Sequence, residues 1–198
     1  MEGRSEEGAV SAGSLQGRAR LKRSVVLVGM MGSGKTAIGR MLALKLDVPF
    51  LDSDAEIERA ANATIAEIFA RDGEAFFRNR EAEVIARLLR GPAGILSTGG
   101  GAFMADRNRS QISEVGVSVW LDVGLDTLWD RVRHKDTRPL LRTTDPRATL
   151  AGLYEKRVPV YALADLRVEV RPEFTIEDTT DRVIAALATR PDILELTP

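Results

Sequence analysis

The feature that most constrains this chain is an eight-residue loop, Gly29-Met30-Met31-Gly32-Ser33-Gly34-Lys35-Thr36. It satisfies the pattern G-x-x-x-x-G-K-[ST] at every fixed position. Such a loop works in one setting: it leaves a strand and opens a helix, so that backbone N–H groups curl around a phosphate with the helix dipole behind them. Both flanks are present. Val25-Val26-Leu27-Val28 is the β-branched run expected of a strand buried on both faces, and Lys35 to Leu46 carries Ile38, Met41, Leu42 and Leu46 at helical spacing. In this pattern Lys35 reaches the β- and γ-phosphates of a nucleotide, and Thr36 offers a hydroxyl to Mg²⁺.

The alternation continues along the chain. Val48 to Leu51 reads as a second strand, and Thr64 with Glu67 three residues on forms a capping box. Glu74 to Arg90 is an amphipathic helix stopped by Gly91-Pro92, after which Ile95-Leu96 leads a third strand into Gly99-Gly100-Gly101. Val117 to Val123 is a fourth strand, with a helix from about Leu125 to Arg133. Asp145-Pro146 opens another helix with an acid at the N-cap and proline at N1. Leu166 to Val170 is a fifth strand and Thr175 to Thr189 a last helix. Five short strands alternating with helices predict the α/β class, as a three-layer α/β/α domain around a five-stranded parallel sheet. Strand order is not legible. The domain is expected over residues 24–190, with a disordered leader over 1–23 rich in Gly, Ser, Glu and Arg, and a short tail over 191–198. The polar stretch 135–144 is expected to be a mobile lid.

Composition removes several function classes. Among 198 residues, 28 Lys and Arg face 29 Asp and Glu, so the net charge of −1 lacks the footprint of a dedicated nucleic-acid binder. The absence of cysteine excludes disulfides, thiolate zinc sites, iron–sulfur ligation and cysteine nucleophiles, and a single histidine, His134, excludes a histidine-rich metal site. The longest apolar runs are four to six residues. A membrane-spanning helix needs about 20, and a secretory signal an apolar run of about 7–15. The expectation is a cytoplasmic monomer that handles small molecules, with neither nucleic acid nor membrane as partner. Neither N-K-x-D, which GTPase switches use to read guanine, nor the L-S-G-G-Q signature of transport ATPases is present.

Charged residues outside the loop supply candidates for chemistry. Asp52 and Asp54 sit at the carboxyl end of the second strand, where open α/β sheets place their ligands. One carboxylate is suited to hold metal-bound water and the other to meet a substrate hydroxyl as positioner or base. The competing reading is that Asp52-Ser53-Asp54 caps the next helix. Arg78 lies three residues before Glu81, which can steady its guanidinium. Arg138 belongs to the polar stretch, and Arg157 lies two residues before Pro159, where its helix should bend. Arginine suits bidentate recognition of carboxylate and phosphate. Gly99-Gly100-Gly101 lets the backbone approach a ligand closely. Trp120, Trp129 and Phe76-Phe77 read as core.

Taken together, these residues resemble shikimate kinases over Val25 to Thr189. The matching motifs are the phosphate loop, Asp52-Ser53-Asp54, Gly73-Glu74-Ala75-Phe76-Phe77-Arg78 with Glu81, Ser97-Thr98-Gly99-Gly100-Gly101, Arg138-Pro139-Leu140-Leu141, and Tyr154 to Tyr161 with Arg157-Val158-Pro159-Val160-Tyr161. The resemblance implies a nucleoside-monophosphate-kinase-like fold with a lid, and transfer of the ATP γ-phosphoryl group to the 3-hydroxyl of shikimate in aromatic amino-acid biosynthesis. It implies that Gly32, Ser33, Gly34, Lys35, Thr36 and Ala37 hold the phosphates of ATP. Thr36 would bind Mg²⁺, supported through water by Asp52. Asp54, Arg78, Gly100 and Arg157 would contact shikimate, with Lys35, Asp54 and Arg138 catalytic, Arg138 closing onto the phosphates and Arg131 packing on adenine. The segment around Arg171-Pro172 matches the family poorly. Two other readings stay open on the sequence: another small-molecule kinase of the same fold, such as gluconate kinase, and a nucleotide-regulated binding module without transfer activity.

Overall fold

A computed structural model of the chain describes residues 19–134 and 139–196. In chain order the elements are β1 (Ala19–Leu21), β2 (Ser24–Val28), α1 (Lys35–Leu46), β3 (Phe50–Asp52), α2 (Ser53–Ala61), α3 (Ile65–Leu89), β4 (Ile95–Ser97), α4 (Asp106–Val115), β5 (Gly116–Val123), α5 (Leu125–Val132), α6 (Pro146–Tyr161), β6 (Leu166–Val170), α7 (Ile176–Ala188) and β7 (Leu194–Leu196). Five of the strands form one parallel sheet in the order β3-β4-β2-β5-β6. The β-branched run of β2 therefore occupies the centre, with Val25 opposite Ile95 on one side and Val117 on the other, and all five of its residues are buried. The expected class and strand count hold. The order, which needed tertiary pairing to see, brings β4 and β5 to either side of the strand that ends in the phosphate loop.

Local signals set the helix ends. Thr64 and Glu67 form the predicted capping box, with the Thr64 amide donating to Glu67 Oε2 at 2.7 Å. Thr175 and Asp178 form a second one on α7. Asp145 Oδ1 accepts from the Ala148 amide at 2.9 Å, and Pro146 follows at N1. The helices expected from Thr64 and from Glu74 are both present and together make up α3, separated by the non-helical backbone of Gly73 (φ 81°, ψ 170°), a conformation that a side chain would resist. The bend sets the direction of the second half of α3, which carries Arg78 and Glu81.

The folded domain extends further at both ends than the sequence suggested. β1 and β7 pair antiparallel, Ala19 opposite Leu196 and Leu21 opposite Leu194, and the Lys22 amide donates to the Ile193 carbonyl at 2.8 Å. Residues assigned to a leader and a tail thus close against each other, because Leu21, Ile193 and Leu194 have a core to enter and are buried in it. Of the expected lid, residues 139–144 are described: Pro139–Leu141 form a short 3-10 turn and Leu141 is buried in the main core. That apolar anchor was not anticipated for a polar stretch. Among the described residues no helix is long and apolar enough to cross a membrane. Because Leu194 is 1% exposed, Leu194→Ala is expected to cost about 2–4 kcal/mol, lowering the melting temperature by roughly 4–16 °C for a domain of this size. Calorimetry or chemical denaturation measures this directly.

Candidate active site

The phosphate loop holds its own lysine in readiness. Lys35 Nζ donates to the carbonyls of Gly29 at 2.8 Å and Met30 at 2.9 Å, and to Ser33 Oγ at 3.4 Å. The ammonium is buried, so those carbonyls substitute for water around it. The loop forms one wall of a cleft of about 500 Å³, with Asp52, Asp54, Thr98, Gly99 and Gly100 on another and Arg131, Val170, Phe174 and Ile176 at the far end. Arg131 donates to the Gly32 carbonyl at 3.3 Å and so backs the loop.

Asp52 caps α2 with one oxygen and turns the other toward the loop. Oδ1 accepts from the amides of Asp54 (3.1 Å) and Ala55 (3.3 Å), capping α2. Oδ2 faces the loop and accepts from the Thr36 hydroxyl at 3.2 Å. A hydroxyl and a carboxylate oxygen side by side are the hard donors Mg²⁺ takes. Among the described residues no group of three or more His, Cys, Asp or Glu side chains could enclose a metal, so an ion here would complete its shell with water and phosphate oxygens. Asp54, two residues on, has its carboxyl pushed up from 3.8 to about 6, first by burial and then by the charges of Asp52 and Glu81, with Lys35 opposing.

The glycine run at the end of β4 is a surface without side chains against which three functional groups lie. A Cβ at Gly99 would fall 2.7 Å from Asp54 Oδ1, one at Gly101 would fall 2.6 Å from Arg78 Nη2, and one at Gly100 would lie 3.4 Å from Arg157 Nη1 and 3.5 Å from the Met31 amide nitrogen. Arg78 is held as its spacing suggested. Nη1 donates to Glu81 Oε2 at 2.8 Å, with Glu74 one turn earlier at 3.3 Å. Glu81 is 1% exposed, and its carboxyl is raised by burial against the pull of Arg78, Arg107 and Arg157. Arg107 in α4 donates to the Arg78 carbonyl and to Asn79 Oδ1, bracing the same turn of α3.

Every phosphate-loop candidate from Gly32 to Ala37, together with Arg131, Asp52, Asp54 and Gly100, lines the one cleft. Arg78 and Arg157 flank it behind the glycine turn. Arg138 lies outside the described residues. Sequence reasoning missed Phe174, Ile176 and Thr179, which line the far end. Their signal was positional: they follow the carboxyl end of β6, where this sheet type places ligands. Trp120 and Phe77 are buried as expected, whereas Phe76 is 38% exposed with Arg80 over its ring.

A nucleotide loop facing a recessed carboxyl with two arginines beside it leaves room for a small anionic acceptor, which places the chain among small-molecule kinases of the phosphate-loop fold. The shikimate kinase family model matches residues 31–188. The shikimate kinase of Ruegeria pomeroyi is 69% identical over 180 residues, covering 91% of this chain and 92% of that protein. That of Cereibacter sphaeroides is 68% identical over 177 residues, covering 89% and 88%. The structure of the Acinetobacter baumannii shikimate kinase in complex with shikimate superposes with a TM-score of 0.80 at 36% identity, over 84% of this chain and 93% of that one. The chain belongs to the shikimate kinase family. That membership sets aside the gluconate kinase and binding-module readings.

The electrostatics of Asp54 carry a stability consequence. Its carboxyl is raised on folding, so its contribution is fully present below the unfolded value near 4 and is lost as pH rises through about 6. Asp54→Asn, neutral at every pH, is therefore expected to melt roughly 2–6 °C above the parent at pH 8. The gain should shrink at pH 5. Melting curves at the two pH values test the sign.

Proposed function

We propose that the chain transfers the γ-phosphoryl group of ATP to the 3-hydroxyl of shikimate, using the cleft between the phosphate loop and the glycine turn. The observation that carries this reading is the position of Gly100, where an added Cβ would stand 3.5 Å from the Met31 amide nitrogen of the loop and 3.4 Å from Arg157 Nη1. Donor and acceptor halves of the site meet at that residue.

In this reading the amides of Gly32 to Ala37 take the phosphates, and Lys35 exchanges its loop carbonyls for β- and γ-phosphate oxygens as negative charge spreads in the transition state. Thr36 and, through water, Asp52 would hold Mg²⁺, which when bound would neutralise phosphate charge. Asp54 is mostly ionised at neutral pH and meets the acceptor hydroxyl. As the hydroxyl oxygen bonds to the γ-phosphorus, the bond to the β–γ bridging oxygen breaks and the proton passes to Asp54. Arg78 and Arg157 grip the shikimate carboxylate from either side of the glycine turn. Arg131 packs on adenine from one side, with Phe174 and Ile176 at the same end of the cleft. Arg138 closes onto the phosphates with the lid, a role that rests on the family resemblance. Action as a cytoplasmic monomer is part of the same proposal.

Coupled measurement of ADP release with ATP, Mg²⁺ and a panel of hydroxy acids tests the function. Shikimate should support turnover, and its carboxamide should show a KM tens- to hundreds-fold higher, because charge-assisted contacts worth roughly 1.5–3 kcal/mol each are lost. Turnover with gluconate but not shikimate would overturn the reading. Gly101→Ala forces the Arg78 guanidinium, the mobile end of a long side chain, to move rather than the backbone. It should raise the KM for shikimate about tenfold or more, the scale of one charged hydrogen bond, while shifting the melting temperature by less than about 2 °C.

A further inference from the structure

Tyr161 is the last residue of α6 and is 1% exposed. Its ring stacks with Trp120 of the central sheet, at a centroid distance of 6.3 Å, and with Phe103 just past the glycine turn, at 6.5 Å. Two ring contacts and near-complete burial leave the phenolic oxygen little freedom. That oxygen donates to the carbonyl of Gly100. Burial pushes the phenol up to about 12, so it stays protonated and remains a donor throughout the working pH range. Arg157 lies one turn back on the same helix, its Nη1 3.4 Å from where a Cβ on Gly100 would stand.

The glycine turn has no side chains with which to fix its own shape, so its conformation depends on where its carbonyls are bonded. The Gly99 carbonyl accepts from the Ala102 amide at 3.0 Å and the Gly101 carbonyl from the Met104 amide at 3.1 Å. Both are local bonds of a tight turn. The Gly100 carbonyl is the one tied to another element, and Tyr161 is what ties it. Because the peptide is planar and trans, fixing the Gly100 carbonyl also fixes the direction of the Gly101 N–H. The same bond ties the turn to α6, the helix that also carries Arg157.

We propose that Tyr161 is a positioning residue for the acceptor half of the site. Its hydroxyl locks the Gly100–Gly101 peptide and registers Arg157 against it, so that shikimate binding depends on a group shikimate does not touch. The inference rests on the proposed function and deepens it. The ATP half does not share this dependence, because the phosphate loop is ordered by its own backbone and by Lys35.

Tyr161→Phe keeps both ring contacts and removes only the hydroxyl. Steady-state kinetics, run below the variant's own melting temperature, should show the KM for shikimate rising about tenfold, the scale for stranding one buried acceptor, with the KM for ATP and kcat within about threefold. Tyr154→Phe loses a hydroxyl from the same helix away from the glycine turn and should leave both KM values unchanged. An unchanged shikimate KM in Tyr161→Phe, or equal rises in both KM values, would make the hydroxyl a packing element and overturn the proposal. A variant too unstable to show a differential effect at any temperature at which it is folded counts against it in the same way. If the unaltered protein itself shows no shikimate-dependent ADP release, the functional reading fails and this inference goes with it.

Discussion

Strand β2 is hydrogen-bonded along both edges and buried along its whole length, and a strand in that position can present chemistry only where it stops. Its neighbours β4 and β5 are parallel to it, so their carboxyl ends arrive at the same rim of the sheet. The phosphate loop, the Asp52-Ser53-Asp54 corner and the glycine turn are the continuations of β2, β3 and β4 beyond that rim. Their mutual distances are set by strand spacing of about 4.8 Å rather than by the loops themselves. The core thus does double duty: the apolar contacts that stabilise the domain also position the carboxylates and the lysine.

The rim is crowded with charge that would be costly if it stood alone. Burial raises the carboxyls of Asp54 and Glu81, and the charges of Asp52 and Glu81 raise Asp54 further. Lys35, Arg78 and Arg157 offset part of that cost, and Lys35 and Arg78 are held by hydrogen bonds that a bound anion can replace or share. The ligand-free site is a set of compromises: Lys35 rests on carbonyls, Arg78 on two glutamates. A phosphate or a carboxylate that shared or replaced these partners would direct its binding energy to the reacting groups rather than to the periphery.

How much of this the sequence disclosed depended on whether a signal was local. The phosphate loop, both faces of the β2 run, the Asp145-Pro146 start and the Thr64–Glu67 box are local, and each lies where its residues predicted. So does the Arg78–Glu81 pair, since three residues on a helix is a fixed geometry. Asp52 was ambiguous because capping and ligand binding use the same carboxylate, and only the fold could show that one oxygen caps α2 while the other faces the Thr36 hydroxyl. The pairing of β1 with β7 was invisible because it joins segments more than 170 residues apart, and neither three-residue strand has a recognisable period of its own. Tyr161 passed as part of a motif; its significance appears only when the carbonyls of the glycine turn are accounted for one by one. Phe174 and Ile176 were missed for a related reason, as their place in the cleft follows from strand order.

The β1–β7 pair has a mechanical meaning. Ala19 and Leu196 are opposite each other at the open end of an antiparallel ladder, and Leu21 and Leu194 at its inner end. Tension applied through residues 19 and 196 would load the ladder at its first rung, with the force at right angles to the strands. Its hydrogen bonds would then break one after another, as in a zipper, instead of sharing the load as they do in shear. The five parallel strands would feel little of that pull until the ladder had opened and Leu194 had left the core. The domain therefore has a weak end through which it can be unravelled, and it lies apart from the rim where the chemistry is housed.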